Sequence, residues 1–409
     1  MSTTFSVSAG DTFESVARKV YGNERDAQLI ARANPGTLEP LSAGATIIVP
    51  ANPRYATDQT QTAVANDGNE VAILVDGVRF RFWQAVRLVR SFDAMDVLEF
   101  SAPFDATKAE FRAAFRPFSY KNVDVTVGGA FLFRGTMVAV TPVLSASKTI
   151  QVSCYSRPGV LNDCTAPASA FPLEFNGLTL AQITEQLCAL FGLSSVFLAD
   201  AGAAFERVAL DPDEKVLDFI VGLAKQRNLV VSSDAQGALT FAQSAASSPV
   251  ARLSQGASPL VAVSPFFSPQ DYYSHITGVE PVVVGGEGSQ YTVKNSRLTG
   301  VIRPLTFKVS DVSTGDVKNA VGAKASRMFA NMVAYVAEVS TWRTATGQLW
   351  APGQTVEVTA PDAMVYGPYM LIIRSVEFSR KSAQEGASLT LVLPEAFNGN
   401  MPARLPWDE

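Results

Sequence analysis

The chain has 409 residues, of which 47% are hydrophobic, and a formal net charge of −5 at pH 7. This length and apolar content predict several buried cores and roughly two to four domains. A mildly acidic chain lacks the general basic charge that holds nucleic acid, although the total does not exclude a local basic lining.

The first residues, MSTTFSVSAG, lack the charged start and apolar centre of a secretory signal, so we expect synthesis in the cytoplasm. No stretch reaches the roughly 18 uninterrupted apolar residues that a membrane span requires. Cys154, Cys164 and Cys188 have no metal-ligand spacing. Their odd number favours reduced, buried thiols over a disulfide framework.

Residues 1–51 follow a β-α-α-β pattern. Phe5 and Val7 alternate with serines, as in a short strand. Asp11 and Glu14 have the spacing of a capping box at the start of the first helix. The apolar stripe of that helix comprises Phe13, Val16, Ala17 and Val20. Asn34-Pro35 ends the second helix, because a residue before proline disfavours the helical region.

Residues 52–66 are polar and without a period, which indicates a linker. From there to residue 165 short alternating runs predict strands. Asp76-Gly77 and Gly128-Gly129 mark two hairpins. So many short strands favour closure into a β-barrel or sandwich, because closure removes exposed edges.

Residues 166–247 predict a mixed α/β domain. One helix ends at Gly192, a second lies within 212–228 with Pro212 near its start, and the stretch LVVSSDAQGALTF predicts a hairpin. The stretch AASSPVARLSQGASP then favours irregular structure.

Residues 248–397 are rich in strand patterns again, except for one long helix predicted over 314–339. Its apolar stripe comprises Val317, Val321, Met328, Met332 and Val336. The strand order at 123–154 recurs at 354–393, with a short strand, a long bent strand and a closing strand in each. This favours internal duplication of a barrel, although alternating strands resemble one another in any case. Residues 398–409 form a C-terminal tail.

The sequence predicts no catalytic, cofactor or metal site. His275 is the one histidine, there is no HExxH motif, and no nucleophile elbow is present. The stretch GGEGSQY at 285–291 lacks the Lys-Ser/Thr of a phosphate loop and favours a turn. No local pair of carboxylates indicates a lysozyme-like enzyme. For Trp342 and Trp350, a place in the barrel core or at a subunit contact is favoured over sugar stacking.

The motifs GDT, VYGN, ARANP and LSAGATIIVP stand in one order within the first 50 residues, and together they resemble a LysM domain. The resemblance implies a shallow ligand groove between the loop after the first strand and the loop before the last. On this chain the groove residues are Gly10, Asp11, Thr12, Phe13, Asn34, Pro35, Gly36 and Leu38. The alternative is that the module keeps only the fold and docks to another protein.

Residues 67–397 resemble the baseplate hub proteins of Mu-like contractile-tailed phages. The resemblance rests on WRTATGQLWAPGQTVEVTAPD and YMLIIRSVEFSRKSAQEGASLTLVLPEAF, and upstream on YTVKNSRLTGVIRPLTF and KASRMFANMVAYVAEV. The structural motif, interpreted as shaping the entry to the last barrel, comprises Gly347, Leu349, Trp350, Pro352 and Gly353. The LysM-like module in front is a departure from the simplest members.

This resemblance implies a mainly β, multidomain chain: a LysM-like domain, then two antiparallel β-barrels with an α/β domain between them. It also implies a homotrimer whose barrels form a six-membered ring between the tail tube, the central spike and other baseplate proteins. DNA would pass through the channel without specific binding. The protein would be made in the host cytoplasm and located in the virion, where LysM reaches peptidoglycan as the spike pierces the envelope. The alternatives are a peptidoglycan-binding protein and a LysM-targeted wall hydrolase; a related injection system is not distinguished from a phage.

Overall fold

The computed structural model describes residues 3–21, 24, 27–49, 68–80, 83–144, 148–244, 247–280, 289–309, 317–381, 384–398 and 400–408. The predicted linker at 52–66 and the first part of the glycine-rich stretch, before Ser289, lie outside these residues. The chain is mainly β.

The N-terminal unit has the predicted order of strand, helix, helix, strand. Its elements are β1 (Thr3–Ser6), α1 (Phe13–Tyr21), α2 (Ala27–Ala33) and β2 (Thr46–Val49). β1 and β2 pair antiparallel, and the helices cover the apolar face of this two-stranded sheet. Three residues of the predicted helix stripe are buried, namely Phe13, Val16 and Ala17. Val20 is 38% exposed, so the prediction that it joins the core was wrong. Val20 lies on the same face as Val16 and Ala17 but in the last turn of α1, next to the helix end at Tyr21.

The first strand-rich region contains both predicted hairpins. Its elements are β3 (Val71–Val75), β4 (Val78–Phe80), β5 (Ala85–Ser91), β6 (Val97–Pro103), α3 (Ala109–Ala114), β7 (Asn122–Val127), β8 (Ala130–Val143) and β9 (Thr149–Ser156). Asp76 and Gly77 have φ of 48° and 75°, and Gly128 and Gly129 have φ of 57° and 83°. Two consecutive positive φ angles define the turn that matches strand twist, which explains why these dipeptides predict hairpins.

An α/β unit follows, with its own apolar core. Its elements are α4 (Val160–Asp163), β10 (Glu174–Leu178), α5 (Leu180–Ala189), β11 (Ser195–Phe197), β12 (Phe205–Ala209), α6 (Val216–Gln226), β13 (Val230–Ser233) and β14 (Leu239–Ala242). The predicted hairpin is the β13–β14 pair. α6 begins at Val216, four residues after Pro212, so the proline does not open that helix.

The C-terminal region contains the longest strand and the longest helix of the described residues. Its elements are β15 (Ala251–Ser254), β16 (Leu260–Phe267), β17 (His275–Val279), β18 (Gln290–Lys294), β19 (Pro304–Lys308), α7 (Val317–Met332), β20 (Val333–Val339), β21 (Thr355–Ala360), β22 (Val365–Lys381) and β23 (Gln384–Val392). β15 lies in a stretch whose composition favoured irregular structure.

The helix predicted over 314–339 was too long. α7 ends at Met332 and passes without a break into β20, so Val336 lies in a strand and not on a helix stripe. In β20 burial alternates along VAYVAEV, because a strand turns successive side chains to opposite faces. The valines of this segment fit both periods, and pairing with β16 and β23 decides for the strand.

The strand pairs join both strand-rich regions into one 13-stranded sheet. The order is β16-β20-β23-β22-β5-β6-β9-β8-β7-β3-β4, with β21 beside β22 and β15 beside β21. β22 bonds to β5 and links the two regions, and β15 runs parallel to β21, so not every strand pair is antiparallel as expected. The arrangement as two β-barrels stays a prediction. The buried side chains of both regions form one continuous apolar cluster.

Two parts of this sheet have the same plan. We call β3 to β9 (residues 71–156) the first repeat and β15 to β23 (residues 251–392) the second. β8 pairs with β7 and then β9, just as β22 pairs with β21 and then β23. Each long strand bulges where it changes partner, between Met137 and Ala139 and between Ile373 and Ser375. The N–H of Met137 donates to Lys121, as that of Ile373 donates to Gln354.

Candidate assembly site at the joint between the repeats

The second half of β22 holds the two repeats together. It pairs antiparallel with β5, in a register that runs from Ser375 opposite Ser91 to Lys381 opposite Ala85. The two strands lie far apart in sequence: Arg87 on β5 and Glu377 on β22, whose side chains form a hydrogen bond, are 290 residues apart. We call this contact the joint.

One end of the joint is closed by a two-bond ion pair. Arg374 is the bulged residue of β22, between Ile373 and Ser375. Its Nε and Nη2 donate to the two oxygens of Asp93 at 3.1 and 2.9 Å. Its carbonyl accepts the N–H of Phe92 at 2.7 Å. The bulge therefore directs an arginine across the joint in the geometry that suits a carboxylate.

The other end is held by Asn69, just before the first strand of the first repeat. Its Oδ1 accepts from Arg343 Nε at 2.7 Å, and its Nδ2 donates to Glu385 at 2.7 Å. Its carbonyl accepts from Arg380 Nη1 at 2.8 Å. Asn69, two residues before the first repeat, thus forms hydrogen bonds with three side chains of the second repeat.

A row of charges crosses the outer face of the joint. Arg87 on β5 donates to Glu377 on β22 at 2.8 Å and to Glu99 on β6 at 3.1 Å. The Glu377 hydrogen bond, more than that of Glu99, raises the pKa of Arg87 above its ordinary value. Because all three side chains are well exposed, solvent screens these pairs and they stabilise the joint only slightly.

A buried carboxylate ties the turn between β5 and β6 to the α/β unit. Asp96 is 1% exposed; its side chain accepts from Arg90 Nε at 3.1 Å and from the Ser91 N–H at 3.0 Å. Its own N–H donates to Ser233 Oγ at 3.1 Å. Burial raises the pKa of Asp96 to about 6, because Arg90 only partly offsets the loss of water.

The motif predicted to shape the last barrel lies beside this joint. Gly347 lies in a turn with φ of +82°, and its carbonyl accepts a hydrogen bond from Arg343 Nη1 at 2.8 Å. Leu349 bridges to Arg343 and packs on the main core. Trp350 is fully buried, and its Nε1 donates to the carbonyl of Thr341 at 2.8 Å. Trp342 is buried too, which agrees with a core position for both indoles.

The end of that motif contacts the first repeat directly. Pro352 is half-buried, and Gly353 has φ of +84° with its N–H bonded to the Ile373 carbonyl at 2.8 Å. A Cβ on Gly353 would lie 2.9 Å from Cε2 of Phe92. The backbone here approaches an aromatic ring of the first repeat so closely that only glycine fits. Gly353 thus lies against the first repeat, and the role of the whole motif stays a proposal.

Sequence reasoning missed Asn69, Asp93, Asp96 and Arg374. Asn69 and the two aspartates lie in turns with no pattern of their own. Arg374 had a signal, because consecutive buried Ile372 and Ile373 break the strand alternation. Such a break indicates a bulge.

The residues predicted for a glycan groove fall into two groups. Asp11 and Phe13 are buried, Thr12 and Asn34 are half-buried, and the exposed remainder comprises Gly10, Pro35, Gly36 and Leu38. The two loops do adjoin, since the carbonyl of Asp11 accepts the N–H of Leu41 at 3.0 Å.

The polar groups of the first set are used inside the unit. The Asp11 carboxylate accepts from the Ser8 N–H at 2.9 Å, from Ser15 Oγ at 2.9 Å and from Lys19 Nζ at 2.5 Å. The hydrogen bond from Lys19, followed by that from Ser8, lowers the pKa of Asp11. Asp11 does not cap α1, as was predicted with Glu14; Thr12 and Ser15 form the reciprocal pair, because the helix begins one residue later than expected.

Asn34 is also held internally. Its Nδ2 donates to the Ile48 carbonyl at 2.6 Å, and its Oδ1 accepts the Ile48 N–H at 2.7 Å. It thereby acts like an extra strand residue beside β2. What remains for a ligand is a small exposed surface on which Leu38 is 83% exposed.

Within the ranges that the structure describes, no three His, Cys, Asp or Glu side chains come together in a way that would hold a metal ion. Among those same residues, no helix combines the length and apolar character that crossing a membrane demands. His275 accepts or donates a 3.0 Å hydrogen bond between Nδ1 and Ser274 Oγ, as expected of a structural histidine. Cys154 and Cys188 are buried free thiols, and burial raises the pKa of Cys188 to about 12.

Two segments of the chain match family models of a baseplate hub protein and of a tail protein. Residues 158–243 match the family model described as the second domain of gp44-like baseplate hub proteins. Residues 330–395 match the model of a tail protein C-terminal domain. Neither segment includes the N-terminal unit.

The chain is also similar to a curated protein and to solved structures over most of its length. It is 25% identical over 309 residues to the baseplate hub protein gp44 of Escherichia phage Mu, covering 71% of this chain and 79% of that protein. The 43 kDa tail protein of prophage MuSo2 from Shewanella oneidensis superposes with a TM-score of 0.68 at 23% identity, over 80% of this chain and 99% of that one. A tail protein from Neisseria meningitidis MC58 gives 0.69 at 19% identity, over 81% and 99%. The last two likenesses establish a shared fold.

Proposed function

We propose that the chain is a structural component of a contractile phage tail, the baseplate hub that connects the tail tube to the central spike. The observation that carries this is the similarity over 309 residues to a phage baseplate hub protein. The fold shared with a prophage tail protein and a second tail protein, over almost their whole length, supports it. The family matches of both inner segments point the same way.

The proposed working form is a homotrimer in the virion, with the two repeats of each chain contributing to a six-membered ring. Duplication suits this task, because pseudo-equivalent repeats let three chains meet a six-fold tube on one side and a three-fold spike on the other. The spike, the tube and other baseplate proteins are the partners. DNA crosses the central channel without specific binding, and the hub catalyses no reaction.

Negative-stain electron microscopy of the purified chain tests this proposal. We expect ring-shaped class averages with three-fold symmetry and an approximately six-fold outline. Averages that show isolated elongated chains at every concentration would contradict the ring.

A second role is proposed for the N-terminal unit: contact with peptidoglycan through the exposed residues Gly10, Pro35, Gly36 and Leu38. The observation in its favour is that the two loops adjoin and leave Leu38 at their surface. In this reading apolar contact with the sugar faces and backbone hydrogen bonds to N-acetyl groups would hold the glycan. Docking of the unit to a neighbouring baseplate protein is the competing role.

Titration calorimetry with chitin oligomers separates these roles. We expect heat of binding for the full chain, a weaker signal for Leu38→Ser, and none for a chain that lacks residues 1–60. Full-chain titrations without heat would favour docking. Release of soluble murein fragments by the full chain would instead indicate a wall hydrolase and contradict a purely structural role.

A further inference from the structure

The joint uses one edge from each repeat, and the chain contains a second, unused copy of both edges. In the joint the second half of β22 meets the outer edge of β5. By the shared plan of the repeats, the second half of β8 corresponds to the second half of β22, and β16 corresponds to β5. The residue-by-residue correspondence follows from the pairing of neighbouring strands. In the first repeat the residues that lie opposite one another across four strands are Leu88, Leu98, Cys154 and Met137. In the second repeat the equivalent residues, in the same order, are Pro265, Tyr335, Leu391 and Ile373.

Neither of these edges has a strand partner among the described residues of the chain. Among the described strands, β9 alone pairs with residues 139–143 of β8, and β20 alone pairs with β16. Large apolar side chains stand exposed along them. Val143 is 37% exposed, Leu144 96%, Phe266 57% and Phe267 40%. Val140 is half-buried and Pro142 is exposed, whereas their counterparts in the joint, Val376 and Phe378, are at most 1% exposed.

We infer that β8 of one chain pairs with β16 of a second copy, in the geometry that the joint already shows within the chain. The number of chains in this inference comes from the proposed function, a homotrimer. The inference adds which strand edges meet and in which register they pair. The register of the joint, transferred to this contact, pairs Ala139 with Ser268, Val140 with Phe267, Thr141 with Phe266, Pro142 with Pro265 and Val143 with Ser264, each second residue belonging to the neighbouring copy.

The backbone directions agree with this register. Just beyond β16, the Ser268 N–H donates to the carbonyl of Met332, the residue before β20, so the alternate residues Phe267, Pro265 and Val263 direct their backbone groups to the free edge. In the joint the N–H of Phe92 donates to the Arg374 carbonyl of β22, so the alternate residues Arg90 and Leu88, the counterparts of Phe267 and Pro265, also direct their backbone groups to β22.

The two prolines explain why this edge pairing is selective. A proline on a strand edge has no N–H to offer and limits pairing with other chains. In the transferred register Pro142 and Pro265 meet each other, so one step of the ladder is lost and no donor is stranded. Any shifted register would place the prolines at two separate steps and interrupt the ladder twice. The edges therefore favour one partner and one alignment.

The contact is heterologous, because it joins two different edges. Such a contact adds copies in one direction until the ring closes. Since the same joint would then occur within and between chains, every repeat would meet its neighbours alike. A ring of such chains would contain two repeats per chain, all in equivalent surroundings.

Disulfide trapping tests the register in the full-length chain. Val143→Cys with Ser264→Cys places one thiol on each edge, at exposed positions. The two form a non-hydrogen-bonded pair in the inferred ladder, where Cα atoms lie about 4.5 Å apart and suit a disulfide. Mild oxidation should give reducible dimers and trimers on a denaturing gel, and a mixture of the two single variants should give dimers only.

The matched control moves one thiol along the same edge. Ala139→Cys with Ser264→Cys keeps one cysteine and displaces the other by four residues, about 13 Å, so we expect no trapping. The native chain controls for Cys154, Cys164 and Cys188. A native trimer whose Val143→Cys/Ser264→Cys variant is not trapped would overturn this interface and leave the hub proposal standing. Trapping of Val143→Cys alone, which means like edges meet, would also overturn it. A native chain that stays monomeric and is never trapped contradicts both proposals.

Discussion

The first and second repeats share a strand order but differ in what covers the second half of their long strand. In β22 that half is sandwiched between β23 and β5, and Val376 is fully buried. In β8 the corresponding half has β9 on one side, Val140 is half-buried and Pro142 is exposed. Two copies of one plan thus differ in burial because, among the described residues, only the second half of β22 has a strand on both sides.

The repeats also differ in the connection between equivalent strands. In the first repeat β5 and β6 are joined by a short turn, residues 92–96. In the second, β16 and β20 are separated by residues 268–332, which carry α7 and the three-stranded sheet of β17, β18 and β19. The shared sheet fixes where the repeats meet, and the loops make their outer surfaces different.

The loops before β21 and β7 provide the largest expected contrast. Trp350→Ala should cost about 3–5 kcal/mol of unfolding free energy, because it leaves a cavity and removes the partner of the Thr341 carbonyl. Phe118 before β7 is 87% exposed, so Phe118→Ala should be close to neutral. Urea unfolding monitored by circular dichroism compares the two. A Trp350→Ala chain with the native midpoint would contradict a core role for this loop.

Two glycines of the same loop measure how tightly the second repeat approaches the first. Gly347 and Gly353 have φ of +82° and +84°, but a Cβ meets nothing within 4 Å at Gly347 and meets Phe92 at Gly353. Gly347→Ala should cost about 1 kcal/mol of backbone strain, and Gly353→Ala about 1–3 kcal/mol more from overpacking. Equal urea midpoints for the two variants would mean that Phe92 yields without cost.

Asp96 gives the turn of the first repeat a pH dependence. Its folded pKa, about 6, is raised above the ordinary value of about 3.9, so the folded chain binds the extra proton between these pH values. The contribution of Asp96 to stability should therefore increase as pH falls from about 6 to about 4, by at most about 3 kcal/mol. Asp96→Asn should remove this part of the slope in urea unfolding at stepped pH. An unchanged slope would mean that Asp96 titrates normally.

The smallest expected effect concerns the charges on the joint. Glu377→Gln breaks a pair between the repeats, and Glu99→Gln breaks a pair to the same Arg87 within the first repeat. Each should cost about 0.2–1 kcal/mol, and the loss should shrink with added salt. A Glu377→Gln loss several times that of Glu99→Gln would show that the joint depends on this charge more than its exposure suggests.

Local elements could be predicted from the sequence, and the joint could not. The hairpins at Asp76-Gly77 and Gly128-Gly129 follow from turn residues that accept positive φ. The change from α7 to β20 escaped prediction because its valines fit both periods. The pairing of β22 with β5 joins segments that no local pattern connects, so the Arg374–Asp93 pair and the role of Asn69 appear only in the structure.

The candidate ligand site shows the same limit. The resemblance to a LysM domain implied that two N-terminal loops adjoin, and the hydrogen bond from the Leu41 N–H to the Asp11 carbonyl joins them. The sequence does not predict that the side chain of Asp11 binds Lys19 or that the side chain of Asn34 binds the Ile48 backbone, since such hydrogen bonds depend on side-chain geometry.

Multi-angle light scattering of the purified full-length chain is the most direct test of the central claim, that the repeats of several copies close a ring. The account predicts a single species with three times the mass of one chain, unchanged when residues 1–60 are removed. A monomer at every concentration, or a trimer that dissociates when residues 1–60 are removed, would contradict assembly through the repeats.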